Sequence, residues 1–329
     1  MNENIKTVVL DAGARFGLHP TWKKFSGELQ YYLFEPDDAE AKRLKKKYAK
    51  RSDEIKVEDY ALNDENGKIR IYFLKNRAMS TSCERNPISA SFLGERKREV
   101  EIVDNKEVDA ITIDSFCKNN NISLDFLKID TEGTEYKVLQ GAKTQLKNNV
   151  LGIRCEVNFD RVFKGMPVFS KIHDFMLEND FYLLNLGYDG KGEYCNEFVN
   201  ANGRYGILTD TDGVWLKRRD ILFNPEKSHD KNLELRVMKY AAFCLNNDAS
   251  DVALDVLLQA RREHGLNFDD FKHTRLYKSL DISVQKLFYS LKWQPGQSLK
   301  KHKDIYFEIF NKKMKELHEY NESLELNPD

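Results

Sequence analysis

The residues that could do chemistry in this sequence include acids at the ends of short apolar runs. Asp11 ends the run 7–10, and Glu35 ends a later run, 29–34. A carboxylate at a strand end of an α/β sheet can accept hydrogen bonds from both hydroxyls of a ribose. The spacing therefore predicts that the two acids lie at adjacent strand ends, where Glu35 binds the ribose of a nucleotide cofactor.

The turn that follows Asp11 contains two glycines, Gly13 and Gly17. Glycine adopts positive φ without strain and lets a ligand approach the backbone closely. The G-x-G-x-x-G spacing of a dinucleotide site is missing, which argues against a nicotinamide oxidoreductase. The turn instead places a carboxylate at the strand end, which suits a cationic ligand or an amino group. His19, directly before Pro20, either touches the ligand at the start of the next helix or faces solvent.

A second group of charges follows the apolar run 124–129. Lys128, Asp130, Glu132 and Glu135 gather around one predicted strand end. Helix capping and the helix dipole explain acids in a first helical turn, so Glu132 and Glu135 also have a structural interpretation. Glu156 lies within the apolar run 151–159, where an acid must be paired or face a cleft. Charge concentrated at the mouth of a sheet is typical of an active site.

Apolar runs with strand and helix signals follow one another along the first part of the chain, which predicts an α/β fold that carries these acids. We predict strands at 7–11, 29–34, 55–62, 68–74, 98–103, 124–130, 151–159, 181–186 and 213–217, and helices from Pro20, over 39–51, from Thr131 or Thr134, and over 167–179. Two long loops, 76–95 and 188–206, interrupt this pattern. Long loops inside compact domains are usually functional or mobile, so we expect substrate choice to reside there.

The pattern changes after residue 223, where apolar residues recur at helical spacing within 284–291 and 306–317. We therefore predict two regions, an α/β domain over 1–222 and a helical C-terminal region over 223–329. The amphipathic helices of the second region offer a face for a homodimer.

Composition excludes several classes of protein. The chain has 329 residues, 41% of them hydrophobic, and a net charge of −1, so it has no global basic field for nucleic acid. No apolar run approaches the ~18 residues of a membrane span, and no signal peptide is recognisable. The five scattered cysteines lack C-x-x-C pairing and indicate free thiols in a reducing compartment. We expect a cytoplasmic protein with neither a nucleic-acid nor a membrane partner.

Five motifs occur in order along this part of the chain. They are D-A-G-A-R-F-G at 11–17, F-E-P-D at 34–37, A-L-N-D-E-N-G at 61–67, L-K-I-D-T-E-G-T-E-Y-K-V-L-Q-G-A at 127–142 and R-C-E-V-N-F at 154–159. With these motifs the sequence resembles the FkbM-type S-adenosylmethionine-dependent methyltransferases over residues 5–220. The resemblance implies a class I methyltransferase fold, which is Rossmann-like with a seven-stranded, mostly parallel sheet. It also implies methyl transfer to a hydroxyl of a sugar, a glycan precursor or a natural product.

The resemblance further implies roles for single residues. Asp11, Gly13, Ala14 and Gly17 correspond to residues around the methionine end of the cofactor, Glu35 to the ribose-binding acid, and Ala61 and Leu62 to the stretch near the adenine. Arg15 stands where a small polar residue is common in the family. We count Arg15 among the cofactor-binding residues, with an altered contact to the cofactor carboxylate or to the substrate.

Methyl transfer to a hydroxyl calls for a general base at the acceptor oxygen. We predict Asp130 as this base, Glu156 as the second choice, and Lys128 as a further catalytic residue. The predicted substrate-binding residues are Glu132, Glu135 and His19. The acids could instead hold a divalent cation that lowers the pKa of bound hydroxyls. Because helix capping and ion pairs with Lys128 and Arg154 explain the same charges, we assign no metal site.

A second class of function stays open at this point. The chain could be a glycan- or protein-binding module that keeps a vestigial cofactor pocket and uses its C-terminal helices as the working surface. The intact Asp11, Gly13 and Glu35 argue against this alternative, because a dead site has no physical need for them. The favoured interpretation is an enzyme that acts on a small-molecule or glycan acceptor.

Overall fold

The computed structural model of the chain describes residues 6–25, 28–87, 98–187, 209–224 and 233–280. The chain divides into a compact unit of residues 1–280 and a second unit of residues 281–329. All described residues belong to the first unit. The predicted loop 188–206 and the helical stripes within 284–317 lie outside the described residues.

The first unit is organised around a large sheet. The described strands are β1 (Thr7–Ala12), β2 (Leu29–Phe34), β3 (Ile55–Glu58), β4 (Ala61–Leu62), β5 (Gly67–Leu74), β6 (Ile102–Ile111), β7 (Phe126–Ile129), β8 (Gly152–Asn158), β9 (Phe181–Leu186) and β10 (Asp210–Lys217). Seven of them form one sheet in the order β3-β2-β1-β7-β8-β10-β9. β10 is antiparallel to both of its neighbours, and the other pairs are parallel. The predicted seven-stranded, mostly parallel sheet is confirmed.

The register of the central strands brings the predicted site residues together. Asp11 in β1 pairs with Leu33 in β2 on one side and with Lys128 in β7 on the other. These strands are apolar and buried on both faces, as strands in the middle of a parallel sheet are. The acids that follow β2 and β7 therefore flank the end of β1, which confirms that Asp11 and Glu35 lie at adjacent strand ends.

The helices cover both faces of the sheet. They are α1 (Asp38–Lys47), α2 (Ile113–Asn120), α3 (Glu135–Gln140), α4 (Lys143–Asn148), α5 (Phe169–Glu178), α6 (Arg219–Leu222), α7 (Leu233–Asn246) and α8 (Ser250–His264), with 3-10 helices at Pro20–Phe25, Ala49–Arg51, Arg77–Met79 and Asp269–Phe271. One hydrophobic core lies between the sheet and α2 to α5, and another contains residues of α7 and α8. No described helix has both the length and the apolar composition needed to cross a lipid bilayer.

A second, small sheet has the order β4-β6-β5. β4 pairs parallel with β6, and β5 pairs antiparallel with it. Ile71 and Phe73 of β5 are buried in a satellite core of this sheet, with Ile69 packed against it. The same three residues line a cavity that adjoins the ends of β1 and β2. The small sheet thus supplies an apolar wall to the site.

The described part of the C-terminal helical region packs against the large sheet. The ring of Phe243 in α7 stacks on Phe126 of β7 with the centroids 4.7 Å apart. The buried Lys239 donates a hydrogen bond to Asp125 at 2.8 Å. α7 is therefore joined to the sheet by both apolar and ionic contacts. The functional division at residues 222/223 stays a prediction.

Two predictions of single elements were wrong. Residues 55–62 form two strands, because the chain leaves the large sheet at Asp59 and Tyr60 and then joins the small one. The strand expected at 98–103 begins at Ile102 and runs to Ile111, and its first six residues are exposed, so apolar alternation does not mark it. The helix predicted from Pro20 is confirmed, and it is a 3-10 helix.

Candidate active site

The turn after β1 brings three strand ends into contact. Gly13 has a φ of +81°, and a Cβ at this position would collide with the carbonyl oxygen of Asp130. The backbone N–H groups of Gly13 and Ala14 donate to the carbonyl oxygen of Phe34 at 3.2 and 3.0 Å. Because glycine alone combines positive φ with so close an approach, it lets the turn lie against the ends of both β2 and β7.

A chain of polar contacts runs from the core to this turn. The buried Asp11 accepts a hydrogen bond from the hydroxyl of Tyr31. Lys128 Nζ lies 3.3 Å from Asp11 and 3.2 Å from Asp130. Burial acts to lower the pKa of Lys128, but the charges of Asp11 and Asp130 outweigh it and raise the pKa. Lys128 is therefore a fixed cation that holds Asp130 in place, and its predicted catalytic role stays a prediction.

The first cavity has a volume of about 230 Å³ and adjoins the ends of β1 and β2. Glu35 lines this cavity, and its Oε1 accepts a hydrogen bond from the backbone N–H of Asp37 at 2.9 Å. Burial raises the pKa of Glu35 to about 7. The apolar residues that line the cavity include Ala61, Leu62, Ile69, Ile71 and Phe73. A carboxylate beside an apolar slot can bind a ribose and its base together.

A three-residue ion-pair network borders the first cavity. Asp37 accepts hydrogen bonds from Arg15 at 3.1 Å and from Arg77 at 3.0 Å. Burial acts to raise the pKa of Asp37, but the two guanidinium groups lower it. The guanidinium of Arg77 also lies 3.8 Å from the ring centroid of Phe73. The network connects the glycine turn, the N-cap of α1 and the segment after β5 across the cavity wall.

The acidic cluster consists of Asp130, Glu132 and Glu156. Each of these residues offers one carboxylate oxygen, and the three oxygens lie within 4.8 Å of one another. Burial, followed by the neighbouring carboxylates, raises the pKa of both Glu132 and Glu156. Arg154 does not neutralise the cluster as expected, because it pairs with Asp212 at 2.7 Å. A carboxylate with a raised pKa can accept a proton near neutral pH.

Glu135 organises the loop between β7 and α3. Its carboxylate accepts hydrogen bonds from the N–H groups of Thr131 at 2.8 Å and Gly133 at 3.1 Å. Glu132, between these residues, has a φ of +56° and lies in the loop, outside the first helical turn where it was expected. Helix α3 begins at Glu135 itself, after Thr134 as N-cap. These hydrogen bonds indicate that Glu135 positions Glu132. The predicted contact of Glu135 with the substrate stays a prediction.

The second cavity has a volume of about 670 Å³. It shares Gly13, Phe16 and Asp130 with the first cavity. Phe16 is 79% exposed, which is unusual for so large an apolar side chain. His19 lines the second cavity, where burial, followed by the charges of Arg154 and Lys128, lowers its pKa to about 4. His19 is therefore neutral at pH 7.

A comparison with protein families decides the class of the chain. The model of the family described as "Methyltransferase FkbM domain" matches residues 11–188, more than half of the chain. The chain belongs to the FkbM methyltransferase family. The matched segment begins at Asp11 and includes both the glycine turn and the acidic cluster. A search of curated proteins finds no match.

Solved structures similar to this FkbM-family chain include other methyltransferases. The FkbM methyltransferase of Methylobacillus flagellatus is 15% identical with a TM-score of 0.40, and the match covers 65% of this chain and 44% of that one. The TrmK protein of M. capricolum in complex with S-adenosylhomocysteine is 10% identical with a TM-score of 0.33, over 86% of this chain and 91% of that one. The human METTL16 N-terminal domain in complex with SAH is 13% identical with a TM-score of 0.33, and the match covers 65% of this chain and 63% of that one.

Most of the predicted site residues of this FkbM-family chain line one of the two cavities. Gly13, Arg15, Glu35, Ala61, Leu62, Asp130, Glu132 and Glu156 line the first, and Asp11, Gly13, Ala14, Gly17, His19, Lys128 and Asp130 line the second. Glu135 lines neither of them. Sequence analysis missed Phe16, which stands between the two glycines of the turn, and Arg77, which no local motif marks. It also missed Asp37, although this residue belongs to the F-E-P-D motif.

Proposed function

We propose that the protein is an S-adenosylmethionine-dependent O-methyltransferase whose acceptor is a sugar, a glycan precursor or a natural product. One observation carries the proposal. Asp130 lines both cavities, so a carboxylate stands where a donor bound in the first cavity would meet an acceptor bound in the second. Membership in the FkbM methyltransferase family supports the same conclusion.

The residues of the first cavity fit S-adenosylmethionine. Glu35 is 5% exposed and offers a carboxylate to the ribose hydroxyls, and the apolar wall around Ala61 and Leu62 suits an adenine ring. Gly13 and Arg15, in the turn after β1, line the same cavity as the acidic cluster, whose carboxylates would face a sulfonium charge. The cofactor, when bound, would supply the methyl group, whose carbon–sulfur bond breaks as the acceptor oxygen attacks in line, with S-adenosylhomocysteine as the leaving group.

The remaining chemistry falls to this chain's own residues. Holding donor and acceptor close together and collinear supplies much of the rate of such a displacement. Asp130 then accepts the proton of the acceptor hydroxyl as the new oxygen–carbon bond forms, while Lys128, 3.2 Å away, keeps its carboxylate in place. Glu156 is the second candidate for this base, because it lines the first cavity and one of its carboxylate oxygens lies within 4.8 Å of one of Asp130.

The acidic cluster also permits a second mode of activation. Three carboxylate oxygens within 4.8 Å of one another form an oxygen-only donor set, of the kind that Mg²⁺ and Ca²⁺ prefer. A divalent cation there would bind the acceptor hydroxyl and lower its pKa. Our proposal keeps the metal-free base, and the experiment below includes a chelation arm.

The proposed function is tested by methyl transfer from methyl-labelled S-adenosylmethionine to a panel of sugars and hydroxylated natural products. We expect label on an acceptor oxygen, and a loss of about 100-fold or more in turnover for Asp130→Asn, in line with the usual contribution of a general base. Cofactor binding should survive this substitution. Equal turnover with and without EDTA is the expected result of the chelation arm.

Four outcomes would overturn parts of this account. Label on nitrogen or carbon would exclude an O-methyltransferase, and unchanged turnover of Asp130→Asn would remove Asp130 from the role of base. Cofactor binding with no transfer to any acceptor would favour the binding-module alternative. Loss of turnover in EDTA that Mg²⁺ restores would show that a bound cation, and not a metal-free base, activates the acceptor hydroxyl.

A further inference from the structure

Two basic residues that the proposed reaction does not use, Lys47 and Arg51, line the second cavity. Helix α1 and the 3-10 helix after it carry Lys42, Arg43, Lys45, Lys46, Lys47, Lys50 and Arg51. Three of these residues have acidic partners, in the pairs Arg43–Glu40, Lys45–Asp59 and Arg51–Glu54. Lys47 has no acidic partner within the described part of the chain, and it lines the second cavity.

The position of the Lys47 ammonium is defined by the wall of the cavity. Its Nζ lies 5.1 Å from the centroid of the Tyr48 ring. Tyr48 is buried, and its hydroxyl accepts a hydrogen bond from the N–H of Leu18 at 2.9 Å. The Tyr48 ring is therefore a fixed part of the wall, and the exposed lysine beside it places a cation at the rim of the cavity.

The other cations around the second cavity have acidic partners. Lys128 lies between Asp11 and Asp130, Arg154 pairs with Asp212, and Arg51 pairs with Glu54. Among the described residues that line this cavity, Lys47 is thus the cation whose charge stays available to a ligand.

We propose that the second cavity binds an acceptor that carries a phosphate group, with the acceptor hydroxyl at Asp130 and the phosphate at Lys47. This inference rests on the proposed function and adds the chemical class of its substrate. A phosphate carries between one and two negative charges at neutral pH and is attracted more strongly by this ammonium than a singly charged group is. Lysine binds phosphate as a point charge, so recognition by Lys47 requires no bidentate geometry.

The test is calorimetric titration of the full chain, saturated with S-adenosylhomocysteine, with three probes: glucose 1-phosphate, glucose and inorganic phosphate. We expect the two phosphate-bearing probes to bind more tightly than glucose. Lys47→Gln should weaken their binding about fivefold, the size of one partly screened ion pair. Lys46→Gln is the matched control, because Lys46 is an exposed lysine next to Lys47 that lines neither cavity. It should leave the binding of both phosphate-bearing probes unchanged.

The outcomes separate this inference from the function on which it rests. Failure of the chain to bind S-adenosylhomocysteine would overturn the proposed function. Binding of S-adenosylhomocysteine without binding of either phosphate-bearing probe would overturn the phosphate proposal alone. Equal losses in Lys47→Gln and Lys46→Gln would also overturn it, because they would show a diffuse surface field rather than a site at Lys47.

Discussion

Glu35 shows how one buried side chain can couple cofactor binding to pH. Its carboxylate accepts a backbone hydrogen bond through Oε1, and burial raises its pKa to about 7. Because the pKa is higher in the folded chain than in the unfolded chain, the ionised carboxylate is disfavoured in the fold. The free energy of unfolding therefore falls as the pH rises from the unfolded pKa of about 4.5 through the folded pKa of about 7.

The same pKa predicts the pH dependence of cofactor binding. Ribose hydroxyls donate hydrogen bonds to the ionised carboxylate, so the affinity for S-adenosylhomocysteine should rise about tenfold between pH 6 and pH 8, as the ionised fraction of Glu35 rises. Glu35→Gln keeps an acceptor for the Asp37 N–H and should bind with little dependence on pH. Calorimetry at several pH values measures both profiles. An equal pH dependence in wild type and Glu35→Gln would assign the titration to another group.

At the scale of elements, the contact between α7 and the sheet depends on a buried ion pair. The side chains of Lys239 and Asp125 are 6% and 10% exposed, and Asp125 also accepts a hydrogen bond from the N–H of Val8 at 2.7 Å. The pair therefore joins the C-terminal helical region to both β1 and the segment before β7. Removing one partner would leave the other charge buried without compensation.

We predict that Lys239→Met lowers the free energy of unfolding by about 3 kcal/mol, the usual cost of a broken buried ion pair. Adding Asp125→Asn to this variant should recover part of the loss, because the asparagine carries no charge and still accepts from Val8. Urea denaturation of the three variants (the two single ones and the double one) measures these differences. A single variant within about 0.5 kcal/mol of wild type, the range of ordinary surface changes, would show that α7 is held by apolar contacts alone.

Strands with buried apolar residues were predicted at the right positions, and a strand that begins with exposed residues was not. β2 and β9 have the predicted bounds, because each is a short apolar run with charged or turn residues at its ends. β6 was misplaced because its first six residues are exposed and show no apolar alternation. The division of 55–62 into β3 and β4 was not predicted, because the two strands follow each other directly in sequence but belong to different sheets.

Considered as a whole, the molecule shows which parts of a site a sequence can predict. Asp11, Glu35 and Asp130 were identified because each follows an apolar run, and parallel strands place such positions at one edge of the sheet. The second cavity was not predicted, since it joins residues from separate elements, among them Tyr48 and Asp212. No local spacing connects those residues, so only the folded chain reveals the cavity.

The central claim is that the first cavity binds S-adenosylmethionine through Glu35. Its most direct test is calorimetric titration of the purified chain with S-adenosylmethionine and S-adenosylhomocysteine, alongside Glu35→Ala and the matched control Glu58→Ala. Glu58 is an acid at the end of the neighbouring strand β3 and lines neither cavity. We predict that wild type and Glu58→Ala bind both compounds and that Glu35→Ala does not. No binding by wild type, or equal losses in the two variants, would contradict the claim.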